Sequence, residues 1–432
     1  MESVIIRRHE DYDDVAGMER ILAEGMEQLG ARPHGNVLAK PNIVFAHKRY
    51  GRYAYTQPNF MEALIGALRS TGTPTSVTIG ERTALTVPTR YAYHQAGYYP
   101  MARRAGAKIT CFDEEPRERV SLEKGSVHRS MLLSRSIVNA DYRVWAPKLK
   151  NHVSSKITCA LKLNIGICDS DERLVHHDYL LEEKIADLWE VGCPDLVAVD
   201  AILGGQRNEL VPTPLPIGAI IMGTNGVAVD AIGARILGLQ PDDVKHLMIA
   251  HERGHGPVSL SEIEIQGDIS LDELIEKVGP VDRSYNDLRT MPLNVEFFLG
   301  PHPQASCEDG DAGLCHTGCI NMLKAVFAIL DAYDPGSLEK MRPFAVVVGR
   351  YPGDVEFDGT VILVGDCTEV EGEIKAKKIK RVKGCPVPVP FFTFHATRHG
   401  KVKSPYLDPR AFHTFPYFSA LQMASKILHR LF

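Results

Sequence analysis

The sequence predicts an α/β protein: a mostly parallel sheet with helices on both faces, followed by a smaller α/β unit. Three observations carry this. The apolar runs Val77-Thr78-Ile79-Gly80, Leu196-Val197-Ala198-Val199 and Ala219-Ile220-Ile221-Met222 are continuous rather than alternating, as in strands buried on both faces. Segments with apolar residues at helical spacing fall between such runs. A group of breakers, Pro280, Pro292, Gly300, Pro301 and Pro303, separates the two parts of the 432-residue chain. A chain of this length is expected to split its core, so domains are expected over 1–290 and 291–432.

Taken in order, Asn36 to Lys40 reads as a short strand stopped at Pro41. Asn59 to Ser70 reads as a helix, with Met61, Leu64, Ile65 and Leu68 on one side. Val77 to Ile79 is a strand ended by Gly80, and Tyr142 to Ala146 is a strand halted by Pro147. Leu196 to Asp200 and Ala219 to Gly223 continue the strand series, and Gly226 to Leu237 is the next helix. Beyond the breakers, Ile320 to Tyr333 is helical, Phe344 to Val348 is a strand, and Val361 to Val364 is a strand leading into Cys367. Phe418 to Phe432 reads as an amphipathic helix with Leu421, Ile427, Leu428 and Leu431 on its apolar side.

Composition excludes several classes. The net charge of −5 argues against broad nucleic-acid binding. No run of about 18 apolar residues marks a membrane span. The start, Met1 to Arg8, leads into an acidic stretch without a signal-like apolar core, so a cytoplasmic protein is expected. Nine cysteines in such a chain read as metal ligands or buried thiols rather than disulfides.

Four of those cysteines sit in three turn-rich motifs: Cys315-His316-Thr317-Gly318-Cys319, Gly365-Asp366-Cys367-Thr368 and Gly384-Cys385-Pro386. Four thiolates suit one [4Fe–4S] cluster, and glycine beside a ligand allows close backbone approach. Zinc and unligated core thiols are the rival readings. Structural zinc sites usually bring two tight cysteine pairs, and only the first pair here is tight. Cys111, Cys159, Cys168 and Cys193 lack ligand-like spacing and are expected to be buried thiols.

The order of these motifs resembles the proximal-cluster domain of nickel–iron hydrogenase small subunits and the related complex I subunit, over residues 305–395. That resemblance implies a flavodoxin-like unit with Cys315, Cys319, Cys367 and Cys385 as ligands, and Cys307 as a possible substitute. The first pair has three intervening residues where the hydrogenases have two, and the last motif reads Lys383-Gly384-Cys385-Pro386-Val387. The first ~270 residues resemble the domain of unknown function 362 family through Lys40-Pro41-Asn42, Ile79-Gly80-Glu81-Arg82, Pro147 to His152, Ala160 to Gly166, Val199 to Ile202 and Val229-Asp230-Ala231. Many members of that family carry or accompany iron–sulfur modules.

The densest polar segment is Lys148 to Asn164, with Lys148, Lys150, Lys156, Lys162, His152 and Asn164. Clustered ammonium groups raise the local positive potential and attract an anion such as a carboxylate or phosphate. Desolvation can lower a lysine pKa enough to make it a base or proton donor. Lys148, Lys150, His152, Lys162 and Glu81 are therefore candidate catalytic residues. Lys40, Asn42, Asn164 and Asp200 are candidate substrate contacts. A solvated basic loop is the bland alternative. Asp230 reads as a first-turn helix carboxylate. The expectation is an iron–sulfur enzyme acting reductively on a small anionic substrate, with a ferredoxin-like electron donor. A non-redox Lewis-acid role for the cluster, or an electron-transfer or assembly protein, are the alternatives. The sequence leaves the oligomeric state open.

Overall fold

The computed structural model describes residues 1–431 apart from Leu85, Ser170 and 306–310. Cys307 lies outside the described residues. The chain divides into two compact units. The first comprises Met1–Arg173, Glu182–Asp282 and Thr414–Phe432, and the second comprises Leu174–Leu181 and Arg283–His413. The main part of the second unit thus begins at Arg283, while the C-terminal helix groups with the first unit and a short inserted segment with the second.

The first unit contains β1 (Glu2–Arg8), β2 (His34–Pro41), β3 (Thr73–Glu81), β4 (Lys108–Cys111), the β5–β6 hairpin (Arg117–Ser121, Ser130–Ser134), β7 (Tyr142–Ala146), β8 (Lys148–His152), β9 (Lys156–Thr158), β10 (Leu196–Gln206), β11 (Thr213–Gly223) and β12 (Ile263–Gly267). The main sheet has the order β12-β1-β11-β10-β7-β2-β3-β4, with β8 beside β10 and β9 beside β8. β10, β7, β2, β3 and β4 run parallel to one another. β10 and β11 form an antiparallel pair, which departs from the expected parallel series. Only residues 207–212 join them, too few for a parallel crossover.

Helices Val15–Gln28 and Pro58–Thr71 cover one face. Met18, Leu22, Phe60, Met61, Leu64 and Leu68 pack there against Ile5, Val37, Ala39, Ile79 and Val144. Helix Gly226–Ile236 lies on the β8–β9 side, where a Cβ on Gly233 would meet Leu149 and Ile157 at 3.1 and 3.3 Å. Its N-cap is Asn225, whose Oδ1 accepts from Val227 N and Ala228 N. Asp230 does not sit in the first turn as expected. It lies one turn further in, and its carboxylate accepts from Ala160 N (2.6 Å) and Leu161 N (3.0 Å), closing the start of a different turn.

Helix Phe415–Leu431 makes its contacts through aromatic and charged residues, and the side chains of Leu428 and Leu431 lie outside the described residues. Phe415 and Phe418 meet Tyr91 edge-on, at 5.2 and 6.3 Å between ring centroids, and Lys426 pairs with Asp113 at 3.4 Å. Leu421 and Ile427 are exposed. Among the described residues no helix is long and apolar enough to cross a membrane.

The second unit has a four-stranded parallel sheet in sequential order: β13 (Val295–Leu299), β14 (Phe344–Tyr351), β15 (Val355–Val370) and β16 (Ile374–Val382). Helix Cys319–Tyr333 connects β13 to β14, and its Phe327 meets Phe392 of helix Val389–Gly400. A flavodoxin-type sheet carries helices between its strands. Here residues 352–354 and 371–373 alone join the later strands, so the chain winds rather than crossing back. Ala345, Val361 and Ile379 stack in one row, Arg350 and Glu369 in another, and Val355 and Ile374 in a third. Gly349, Gly365 and Gly384 turn the corners with φ of 74°, 106° and 136°, a backbone region that glycine enters without steric cost.

Candidate functional site

The parallel strands of the first unit end together, and their ends carry charge. In open α/β sheets the crevice beyond the carboxyl ends of the strands is where ligands bind. β2 ends in Lys40-Pro41 and β3 ends in Glu81. Lys40 Nζ meets Glu81 Oε1 at 2.8 Å, and both side chains are buried. The Glu81 carboxylate also accepts from Ile43 N (3.0 Å) and Arg82 N (2.8 Å). Burial pushes the Lys40 ammonium below and the Glu81 carboxyl above their usual ranges, and each partner opposes the shift of the other. Gly166 lies against this pair: a Cβ there would sit 2.4 Å from Glu81 Oε1 and 2.7 Å from Lys40 Nζ.

Sheet register explains the second pair. Lys148 and Asp200 are cross-strand partners between β8 and β10. Lys148 Nζ donates to Asp200 Oδ2 at 3.0 Å. The Tyr12 hydroxyl donates to Asp200 Oδ1 (2.6 Å) and accepts from Lys148 Nζ (2.7 Å) and Leu203 N (3.1 Å). Gln57 N completes the carboxylate at 2.9 Å. Lys148, Asp200 and Tyr12 therefore satisfy one another, and Lys148 is not a spare cation. Lys156 is exposed at the β8–β9 turn. The repulsion expected among four lysines is thus partly answered from within.

Two lysines remain without a carboxylate in ion-pair contact. Lys150 faces Gly205 in the β8–β10 register, and a Cβ there would sit 2.9 Å from Lys150 Cβ. The Lys150 ammonium is fully buried and donates only to uncharged acceptors: Asn42 Oδ1 (3.3 Å), Ala54 O and Glu209 O (2.9 Å). Burial lowers its pKa to about 7, against the pull of Glu209 and with help from the Lys148 and Lys162 charges. Lys162, in the turn Ala160–Leu163, is also buried and has no hydrogen-bond or ion-pair partner among the described residues. Burial lowers its pKa as well, opposed by the charges of Glu182 and Glu209.

Each of those two carboxylates has a histidine. His246 Nδ1 meets Glu182 Oε2 at 2.5 Å, and His152 Nε2 lies 3.7 Å from Glu209 Oε1. Burial alone would raise the Glu182 carboxyl; His246 and further contacts overcome it and bring it to about 2. His246 Nε2 is buried without a hydrogen-bond partner. Lys162 thus lies within the influence of two His–Glu pairs. Asn164 is committed elsewhere: its Oδ1 accepts from Trp145 Nε1 (2.6 Å), and its Nδ2 donates to Leu188 O and Gly192 O (3.2 Å each). Its role is to hold the turn rather than to present an amide. Tyr12, Glu182, Glu209 and His246 were not singled out from the sequence. Each comes from a segment distant in sequence, with no local motif to mark it.

Lys150 makes stability depend on pH. An unfolded lysine holds its proton to about pH 10.4, while the folded Lys150 releases it near 7. Between these values the unfolded chain binds more protons, so stability rises with pH by up to about 1.4 kcal/mol per unit. The penalty is full below pH 7. Denaturant titrations at pH 7 and 9 should show this rise in the wild type and a flatter response in Lys150→Met.

The second unit holds the four cysteines. Cys315 and Cys319 are buried, Cys367 is half-buried and Cys385 is exposed. Cβ atoms on Gly318 and Gly365 would lie 2.5 Å from Cys315 Sγ and 3.1 Å from Cys319 Sγ. Burial raises the Cys315 and Cys319 thiols to about 12; Cys367 adds to the rise at both, and behind burial and Asp178 it also raises Cys385. Burial outweighs the start of the helix at Cys319. Among the described residues no group of three or more His, Cys, Asp or Glu stands close enough to hold a single metal ion. Of the remaining cysteines, Cys111, Cys159 and Cys168 are buried, whereas Cys193 is exposed rather than buried.

Comparison with known proteins adds the following. The family model described as a domain of unknown function, DUF362, matches residues 37–235. That span holds Lys40, Asn42, Glu81, Lys148, Lys150, Lys162 and Asp200, and none of the four cysteines. A thylakoid-associated protein of Synechocystis sp. is 23% identical over 270 residues, covering 60% of this chain and 82% of that protein. The lactate racemase apoprotein of Thermoanaerobacterium thermosaccharolyticum is similar over 80% of this chain and 68% of its own, at 11% identity and a TM-score of 0.35. That likeness is too loose to bear on chemistry.

Proposed function

We propose that this protein is an iron–sulfur enzyme carrying out a redox-linked step on a small anionic substrate. The first unit binds the substrate at Lys162 and Lys150, and the second unit holds one [4Fe–4S] cluster on Cys315, Cys319, Cys367 and Cys385. The observation that carries the reading is Lys162, which is 9% exposed and whose side chain has no hydrogen-bond or ion-pair partner among the described residues. Burying an ionised ammonium is costly unless something pairs with it. A carboxylate or phosphate of the substrate supplies that partner through charge-assisted hydrogen bonds.

Lys150, with its pKa near 7, exchanges a proton with the bound substrate at neutral pH, where a catalytic acid or base works best. The Lys40–Glu81 and Lys148–Asp200–Tyr12 groups fix the strand ends that carry Asn42 and Lys150. His246 Nε2, on a ring held through Nδ1 by Glu182, is a second proton-handling atom. A cluster held by Cys315, Cys319, Cys367 and Cys385 would supply single electrons, received from a ferredoxin-like donor.

Inorganic phosphate and small mono- and dicarboxylates are the first probes. A bound anion should raise the thermal midpoint of the full chain. Lys162→Met should weaken that binding at least tenfold, since a hydrogen bond to a charged group contributes about 1.5–3 kcal/mol. The variant should stay folded, because Lys162 has no protein partner to lose. Equal stabilisation of wild type and Lys162→Met by every anion would sink the assignment.

A further inference from the structure

From Ile374 to Leu407 the chain holds nine Lys and Arg residues, six over Lys375–Lys383 and three over Arg398–Lys403, and no Asp or Glu. The whole sequence has a net charge of −5, so this stretch runs against the overall balance. The first six cations lie on or just after β16, an edge of the four-stranded sheet. Lys375 and Lys377 have carboxylate partners in Glu373 and Asp358. Lys378, Lys380 and Lys383 have none among the described residues. Lysines on an exposed edge strand guard against edge-to-edge pairing, which accounts for the strand taken alone.

The helix that follows carries more than such a guard requires. Sheet register runs one row of residues from Phe297 through Val346 and Ile362 to Lys380. Phe297 meets Phe327 of helix Cys319–Tyr333, and Phe327 meets Phe392 of helix Val389–Gly400, at 6.1 and 6.0 Å between ring centroids. Lys380 thus ends, at the sheet edge, the row that these helices cover. Phe392 is fully buried, so Phe391, Phe394 and Arg398, at i, i+3 and i+7, share the outer side of its helix. Phe391 and Phe394 are 60% and 53% exposed. The Arg398 guanidinium lies 5.9 Å from the centre of the Phe394 ring. His395 and His399 stack at 6.0 Å on the same helix. Burial lowers both imidazole pKa values, and the Lys380 charge adds to the fall at each, in keeping with a strand edge and a helix ridge that form one surface.

We propose that this face of the second unit docks on the surface of an anionic lipid bilayer. Phe391 and Phe394 enter the headgroup boundary, and Lys378, Lys380 and Arg398 lie over the lipid phosphates. Helices that bind at an interface bury aromatic side chains in that layer and surround them with cations. Each basic residue held near an anionic membrane adds to the binding. Charge complementarity selects an anionic partner, and the two projecting phenylalanines select a lipid surface. Single-stranded nucleic acid is held in a positively charged groove whose aromatic rings stack on the bases, whereas these rings project from the ridge of a helix. The lysine site of the first unit and the four cysteines take no part in this docking.

The test is cosedimentation of the full chain with vesicles of phosphatidylcholine alone and of equal parts phosphatidylcholine and phosphatidylglycerol. The wild type should bind the anionic vesicles and not the neutral ones, and should release as added salt screens the charges. Lys378→Glu combined with Lys380→Glu should weaken binding at least about tenfold. Phe391→Ser combined with Phe394→Ser should weaken it by a similar factor. Lys108→Glu, at an exposed lysine of the first unit, should bind like the wild type. Lys378→Gln combined with Lys380→Gln serves if the charge reversal does not fold. A wild type that binds neither vesicle, or both alike, overturns the inference. So does full binding by the Phe391 and Phe394 variant, and so does an equal loss in Lys108→Glu, which would make net charge the cause. Tighter binding to a single-stranded oligonucleotide or an acidic polypeptide than to the anionic vesicles overturns it in favour of that partner.

Discussion

Asp200→Ala is expected to cost the first unit about 3–5 kcal/mol, the range for removing one partner of a buried ion pair. The carboxylate is fully buried and serves three donors, Tyr12 Oη, Gln57 N and Lys148 Nζ. Its removal leaves the Lys148 ammonium in the sheet with Tyr12 as its remaining polar neighbour. Domains are stable by about 5–15 kcal/mol in total, so the variant should be barely folded at room temperature. Urea denaturation measures this directly. Lys148→Met combined with Asp200→Leu should recover a large part of the loss, because the desolvation of both charges disappears with them. The exposed pair Lys377–Asp358 gives the contrast: breaking it should cost under about 1 kcal/mol. A loss for Asp200→Ala no larger than that of the surface pair would mean the buried pair does not organise the strand ends.

The largest effect is expected in the second unit. Cys319→Ser should remove most of the iron from the protein, because serine replaces a thiolate at the first residue of helix Cys319–Tyr333. Cys319 is also the buried sulfur against which Gly365 is most closely placed. Cys193→Ser, at an exposed cysteine of the first unit, should leave the iron content unchanged. Parallel iron analyses of the two variants decide the matter. Retention of iron by Cys319→Ser would remove Cys319 from the ligand set.

Much of the architecture is legible in the sequence, for a plain reason. Continuous apolar strands such as Val197–Val199, and helices such as Pro58–Thr71, carry their own periodicity. Strand direction does not. The β10–β11 hairpin and a parallel pair have the same apolar pattern, and only the short 207–212 connection tells them apart. Winding of the second sheet is hidden in the same way, in the three-residue connections 352–354 and 371–373. At the strand ends, the Lys148–Asn164 segment brings Lys148, Lys150 and Lys162 into the buried interior. The identity of the spare cations is not legible there, because Lys148 is neutralised by Asp200 and Tyr12, from other segments. The Glu182–His246 pair is likewise made by residues distant in sequence. Asn164 reads as a ligand contact and turns out to be a backbone clamp, because its three partners become neighbours only after folding.

The most direct test of the account is an iron and acid-labile sulfide analysis of the full chain, purified anaerobically and reconstituted with iron and sulfide. The account predicts a brown protein with about four irons and four sulfides per chain. A colourless protein, or one carrying a single zinc in place of iron, would contradict it.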